Sequence, residues 1–171
     1  MRERGHVINA VILGVGIGLL VEPGYSLSTV TAVLGIAIPV LLGALLPDVD
    51  TSFGTHRKTF HNLFVLGAVA AFPVVFGNLA YVWLGVLTHY VLDLLGNVKG
   101  MALFYPFPGF YDVPVGVNID SRWADVVTLA VTGFELAIAA ALIQAGRAGV
   151  LAEPTRAVDA VRVALVGLLG G

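Results

Sequence analysis

LAYVWLGVLTHYVLDLL, residues 79–95, is an apolar run that carries a histidine and an aspartate four positions apart. Its length approaches the roughly 20 apolar residues that cross a hydrocarbon core. On a helix, positions i and i+4 share a face, so His89 and Asp93 project together. A carboxylate inside a spanning helix costs several kcal/mol unless it is paired or solvated. The run therefore reads as a membrane helix that offers a polar face to something other than lipid.

Outward from this run lie four further candidate spans, residues 7–21, 29–46, 63–77 and 124–145. Residues 154–171 begin with charges and end in VALVGLLGG, which suits an interfacial segment or a sixth helix. The first run follows Arg2 and Arg4 like a signal peptide, but Glu-Pro-Gly-Tyr after it offers no small-residue cleavage pattern, so it is expected to remain as a helix. No repeat or long linker divides residues 1–171. The expected architecture is all-α: a single transmembrane bundle of five to six helices.

Composition agrees. The chain is 58% hydrophobic and 12% charged, with a mean hydropathy of +0.94, whereas soluble domains run near a quarter charged. Nine scattered Lys and Arg and a net charge of −2 form no patch that would neutralise nucleic-acid phosphates. Without cysteine, metal chemistry falls to His, Asp and Glu. Membrane lipids are the expected surroundings, and the oligomeric state is open.

Short loops rich in Lys and Arg stay cytoplasmic. Placing the N-terminus inside puts Arg2, Arg4, Arg57, Lys58, Lys99 and Arg122 on that side and leaves Arg147 outside. The same topology brings His6 to the cytoplasmic start of the first helix, Asp48 and Asp50 to the end of the second, and His56 and His61 to the entry of the third. His89 then lies about 10 Å below the same surface by helical rise. The orientation used only Lys and Arg, so this convergence is independent evidence for a shared divalent-metal site.

Other features carry less. Gly14, Gly16 and Gly18 lie in an apolar span and suit close helix packing rather than a phosphate loop. Gly77-Asn78 suits a tight hairpin between the third and fourth helices. Glu135, near the middle of the fifth span, is expected to face protein or water, either orienting an imidazole or bonding between helices. MALFYPFPGFY, residues 101–111, is too rich in proline and aromatics for a spanning helix and reads as an interfacial anchor or a wall over the site.

GH near the N-terminus, LLPDVD, HRKTFHN and THYVLD leading into ALFYPF together resemble the YdjM-like family of membrane-bound, predicted metal-dependent hydrolases, also described as LexA-binding. The match runs from His6 to Phe107. The family is distantly similar to zinc-dependent phospholipases C and single-strand nucleases, which implies phosphoester hydrolysis with one or two divalent ions, zinc first among them. The resemblance marks His6, Asp48, Asp50, His56, His61, His89 and Asp93 as ligands, with Asp50 and Arg57 as the catalytic pair. Phe60 and Gly96 stand where the family commonly has Thr.

Seven ligands exceed the three that a catalytic zinc takes beside its open position. Two metals, or one with a broad outer shell, would use them. The expected activity is hydrolysis of a phosphoester, lipid or otherwise, at the cytoplasmic face. A metal-stabilised protein with a regulatory partner and, less favoured, a transporter are the alternatives.

Overall fold

Ser26 opens one helix and Asn62 another, each by accepting a hydrogen bond on its side chain from the backbone N–H three residues on, Thr29 at 3.3 Å and Val65 at 3.0 Å. The structure is a computed structural model, and it describes residues 3–95, 100–113, 121 and 123–148. It contains α1 (Glu3–Val21), α2 (Leu27–Leu45), α3 (Leu63–Phe76), α4 (Val82–Leu95) and α5 (Ala124–Arg147). Among the described residues there is no strand, only an antiparallel bridge between Met101 and Tyr111. The segment 154–171, with its expected interfacial or sixth helix, lies outside the described residues, as do Arg2, Gly96, Lys99 and Arg122.

Among the described residues, three helical stretches are long and apolar enough to cross a membrane: Glu3–Val21, Leu27–Ser52 and Ala124–Arg147. The first run is thus longer than its apolar residues suggested, because the helix begins at Glu3 and takes His6 into its second turn. The third run is met, with Gly77 as the cap of its helix, and the fourth is shorter, beginning at Val82 rather than Leu79. At 14 residues each, α3 and α4 rise about 21 Å, less than a hydrocarbon core of about 30 Å. They form a hairpin closed at Gly77, whose φ of 71° and N–H bond to the Pro73 carbonyl end α3 in the left-handed conformation glycine tolerates.

Two buried clusters hold the bundle. Ala10, Leu13 and Ile17 of α1 pack on Ile36, Val40 and Ala44 of α2. Val86 and Tyr90 of α4 pack on Met101. The small residues at these crossings let backbones approach, as expected for membrane helices. A Cβ at Gly14 or Gly18 would lie 2.5 Å from Ala37 Cα or 2.6 Å from Val33 Cα. Between α2 and α4 the approach is tighter still, since a Cβ at Gly85 would collide with the Val40 carbonyl and one at Gly43 with that of Val82.

This α2–α4 contact positions the polar end. At Pro47 the chain leaves the α-helix for a 3-10 turn, Pro47–Ser52, because proline lacks the N–H that would continue the ladder. The turn carries Asp48 and Asp50 back over the C-terminal half of α4. Loop 53–62 then returns to the start of α3. It is tied to the aromatic segment by Ala102 N–H to Arg57 O (3.0 Å) and Leu63 N–H to Leu103 O (2.8 Å).

Candidate metal centre

Side chains from α1, the 3-10 turn, loop 53–62 and α4 meet at one end of the bundle. His61 and His89 are fully buried and bring their Nε2 atoms to 3.2 Å. Asp48 Oδ1 lies 3.8 Å from His61 Nε2 and 3.6 Å from His89 Nε2. Asp93 Oδ2 lies 3.7 and 3.8 Å from the same two nitrogens. A tetrahedron with bonds of about 2.0–2.1 Å, as zinc makes to N and O donors, has edges of about 3.3–3.4 Å. The His61–His89 separation, 3.2 Å, is close to that value, and the four imidazole–carboxylate separations, 3.6 to 3.8 Å, are a few tenths of an ångström longer.

The hydrogens sharpen the fit. His61 Nδ1 faces Asp50 Oδ2 at 3.0 Å, and His89 Nδ1 faces the Ala44 carbonyl at 2.6 Å. Each Nδ1 can only donate there, so in the neutral rings both Nε2 atoms carry lone pairs. Burial lowers the His61 pKa from 6.5 by more than the hydrogen bond and charge of Asp50 raise it, which favours the neutral ring. Two imidazole lone pairs thus stand within 3.8 Å of each other and of two carboxylate oxygens. A cation satisfies all four, and a ligating histidine that donates its other N–H to a carboxylate or carbonyl is the usual arrangement around a metal.

Formal charge points the same way. Asp48, Asp50 and Asp93 bring three negative charges to the cluster and Arg57 one positive, its Nη2 standing 3.1 Å from Asp93 Oδ2. With neutral imidazoles a divalent ion cancels the excess. Arg57 holds a left-handed backbone, φ 64°, and is buried, a conformation that costs a non-glycine residue about 1–3 kcal/mol and is commonest at functional sites.

The remaining expected ligands surround these four. His6, in α1, sets Nε2 at 3.3 Å from Asp93 Oδ1 and stacks on His89 with centroids 3.8 Å apart and planes 11° apart. Its Nδ1 is buried and has no hydrogen-bond partner among the described residues. Asp50, fully buried, accepts from Phe60 N–H at 3.1 Å on Oδ2, the oxygen that holds His61, and lies 3.3 Å from His56 Nδ1 on Oδ1. His56 is 43% exposed, also 3.8 Å from Asp48 Oδ1, and forms the solvent-facing edge. Among the described residues, two groups have donors close enough to share an ion: His6, His89 and Asp93, and Asp48, His56 and His61.

A second polar layer is centred on Glu135, whose expected bonding between helices is borne out, while its neighbours Asn9, Thr88 and Thr132 were not foreseen from the sequence. Asn9 Nδ2 donates to Thr132 Oγ1 (2.9 Å) and Glu135 Oε2 (2.8 Å), and Thr88 Oγ1 lies 2.7 Å from Asn9 Oδ1 and 2.6 Å from Glu135 Oε1. Glu135 thus makes interhelical hydrogen bonds from α5 to α1 and α4, and these contacts do not involve an imidazole. The signal was available: Asn9 is one turn from His6, Thr88 adjoins His89, and both are polar residues in apolar spans.

The sequence profile of the YdjM inner membrane protein family matches residues 1–170. The chain belongs to that family. Neither the curated proteins nor the solved structures give a significant match. Membership of the YdjM family and three membrane-length apolar helices make this a membrane protein whose buried His and Asp groups are able to hold a metal ion.

Proposed function

We propose that this protein is a membrane-integrated metal-dependent hydrolase that cleaves a phosphoester at the cytoplasmic face of the inner membrane. The observation that carries the reading is the quartet of His61 Nε2, His89 Nε2, Asp48 Oδ1 and Asp93 Oδ2, all acceptors, with each imidazole nitrogen 3.2 to 3.8 Å from the other three atoms. Two imidazoles and two carboxylates suit zinc, and Asp48, His56 and Asp50 provide donors for a second ion. When bound, such an ion supplies Lewis acidity to a phosphoryl oxygen and lowers the pKa of water.

The chain's own residues divide the remaining work. Asp50 fixes the His61 ring by accepting from Nδ1, and the Ala44 carbonyl does the same for His89. Asp48, with 28% of its side chain exposed, is the least buried of the quartet and marks the side from which substrate enters. Arg57 places a permanent guanidinium charge at the cluster's edge, where a phosphate oxygen would be held by its planar donors. The basic residues of the N-terminus and loop 53–62 support the cytoplasmic placement.

One observation favours a second reading. Four protein donors close a zinc shell, and closed shells are the structural kind, so the same ion would then tie α4, the 3-10 turn and loop 53–62 together for a regulatory partner. Metal content per chain in detergent, with hydrolysis of phosphoesters and phospholipids measured with and without chelator, separates the two. Chelator-sensitive hydrolysis lost in His89→Ala supports the enzyme. Bound metal without hydrolysis supports the structural role, and hydrolysis indifferent to both chelator and His89→Ala overturns the metallohydrolase.

A further inference from the structure

Beside the metal cluster lies a pocket that the cluster does not use. Its volume is about 300 Å³, and its walls are Lys58, Ala102 and the turn Pro106, Phe107, Pro108, Gly109 and Phe110. The wall at Ala102 is fastened to the backbone of Arg57 by a 3.0 Å hydrogen bond, so the pocket stands directly behind the residue that carries the cluster's guanidinium.

Lys58 is the charged group of this pocket. Its Nζ stands 5.0 Å from the centroid of the Tyr105 ring, a cation–π contact that holds the ammonium in place without neutralising it. Among the described residues Lys58 makes no ion pair with a carboxylate. The pocket walls include no acidic residue. A fixed ammonium without a counter-charge is complementary to an anion.

The surroundings specify which kind of anion. Phe107 and Phe110 are each 63% exposed, Phe104 45% and Tyr111 44%. The loop is braced by the Met101–Tyr111 bridge and by the Phe64–Phe107 and Phe104–Tyr111 ring contacts, so its shape is set. Exposed aromatics in a braced loop at the end of a membrane bundle suit headgroup level, where one side is apolar and the other wet. Lys58 and this rim together match an amphiphile with an anionic head and an apolar tail.

We propose that the Lys58 pocket binds the phosphate of an anionic membrane lipid, with Phe107 and Phe110 against the lipid's apolar part. As a substrate subsite this rests on the hydrolase reading above, placing the lipid's head beside Arg57 and the quartet. As a binding site it stands alone and is tested as one.

The test is a titration of the full-length protein in detergent with short-chain phosphatidylglycerol, short-chain phosphatidylcholine and inorganic phosphate, read by native mass spectrometry, with metal content measured on every sample. Phosphatidylglycerol should bind best, with inorganic phosphate failing to displace it. Lys58→Gln should weaken binding about tenfold, the worth of one charge-assisted contact, while Lys58→Arg stays near wild type. Phe107→Ala should weaken it as well, although it changes no charge and general surface attraction would not register it. Unchanged phosphatidylglycerol binding in both Lys58→Gln and Phe107→Ala, or full displacement by inorganic phosphate, overturns the proposal. Lipid binding that follows Lys58 in a protein without hydrolytic activity upholds the pocket and counts against the enzyme reading alone.

Discussion

His61 and His89 turn their Nε2 atoms toward each other across 3.2 Å while their Nδ1 atoms face the Asp50 carboxylate and the Ala44 carbonyl. Neutral rings in that pose oppose two lone pairs, a repulsive arrangement that a shared cation converts into an attractive one. Asp50 then acts through His61, by holding the ring and raising its basicity. Asp50→Asn should therefore lower metal affinity about 10–100-fold with the bundle intact, as read by competition against a chromogenic chelator. Affinity equal to wild type would remove Asp50 from that role.

Acid should weaken the fold. The folded-state pKa of His61 is lowered from 6.5, chiefly by burial, so below about 6.5 the unfolded chain takes up a proton that the folded chain resists. Stability is full above that value and declines as pH falls through it toward the folded pKa. The thermal midpoint in detergent should be lower at pH 5.5 than at pH 8, and His61→Gln should flatten the difference. An equal slope in the variant would assign the effect to other groups.

The α2–α4 crossing is predicted to be intolerant of even one methyl group. Gly85→Ala places a Cβ against the Val40 carbonyl and the Ala44 backbone, and overpacking of this kind costs about 1–3 kcal/mol. The Ala44 carbonyl also receives the His89 hydrogen bond, so metal affinity should fall along with the thermal midpoint. Gly67→Ala in α3 meets nothing within 4 Å and should be neutral or mildly stabilising, because alanine is the better helix former. Similar melting of the two variants would contradict the crossing.

α5 should loosen when its polar bridge is cut. Glu135 contacts both Asn9 and Thr88, and interhelical hydrogen bonds in membranes average about 0.6 kcal/mol, reaching about 1.7. A double-mutant cycle of Asn9→Ala and Glu135→Ala should give a coupling energy in that range, measured by unfolding in mixed detergent. Additive effects would mean that the two side chains act separately. Metal content should survive in Glu135→Gln, since these contacts run to Asn9 and Thr88 rather than to an imidazole.

Much of the site was legible because its parts are costly in a membrane. His89 and Asp93 in one apolar run had no cheap explanation, and the distribution of Lys and Arg alone brings His6, Asp48, Asp50, His56 and His61 to the same end. The turn at Gly77 was a local signal of glycine, and α3 ends there. Hydropathy overstated the fourth run, because apolar residues continue past a helix end when the next turn is as apolar as the helix. Leu79, with φ 58°, belongs to the turn before α4 although its side chain is as apolar as the helix that follows.

Residue types and their order thus determined an all-helical membrane bundle with imidazoles and carboxylates at one end, since burial cost and helical period act within short stretches of chain. Distance along the chain says nothing of which acceptors face one another. That Asp48 joins His61, His89 and Asp93 while Asp50 turns to the outer side of His61 was decided by the tertiary structure. So was the Glu135 bridge, because rotation of each helix about its axis is set by the small residues that let α2 meet α4 backbone to backbone.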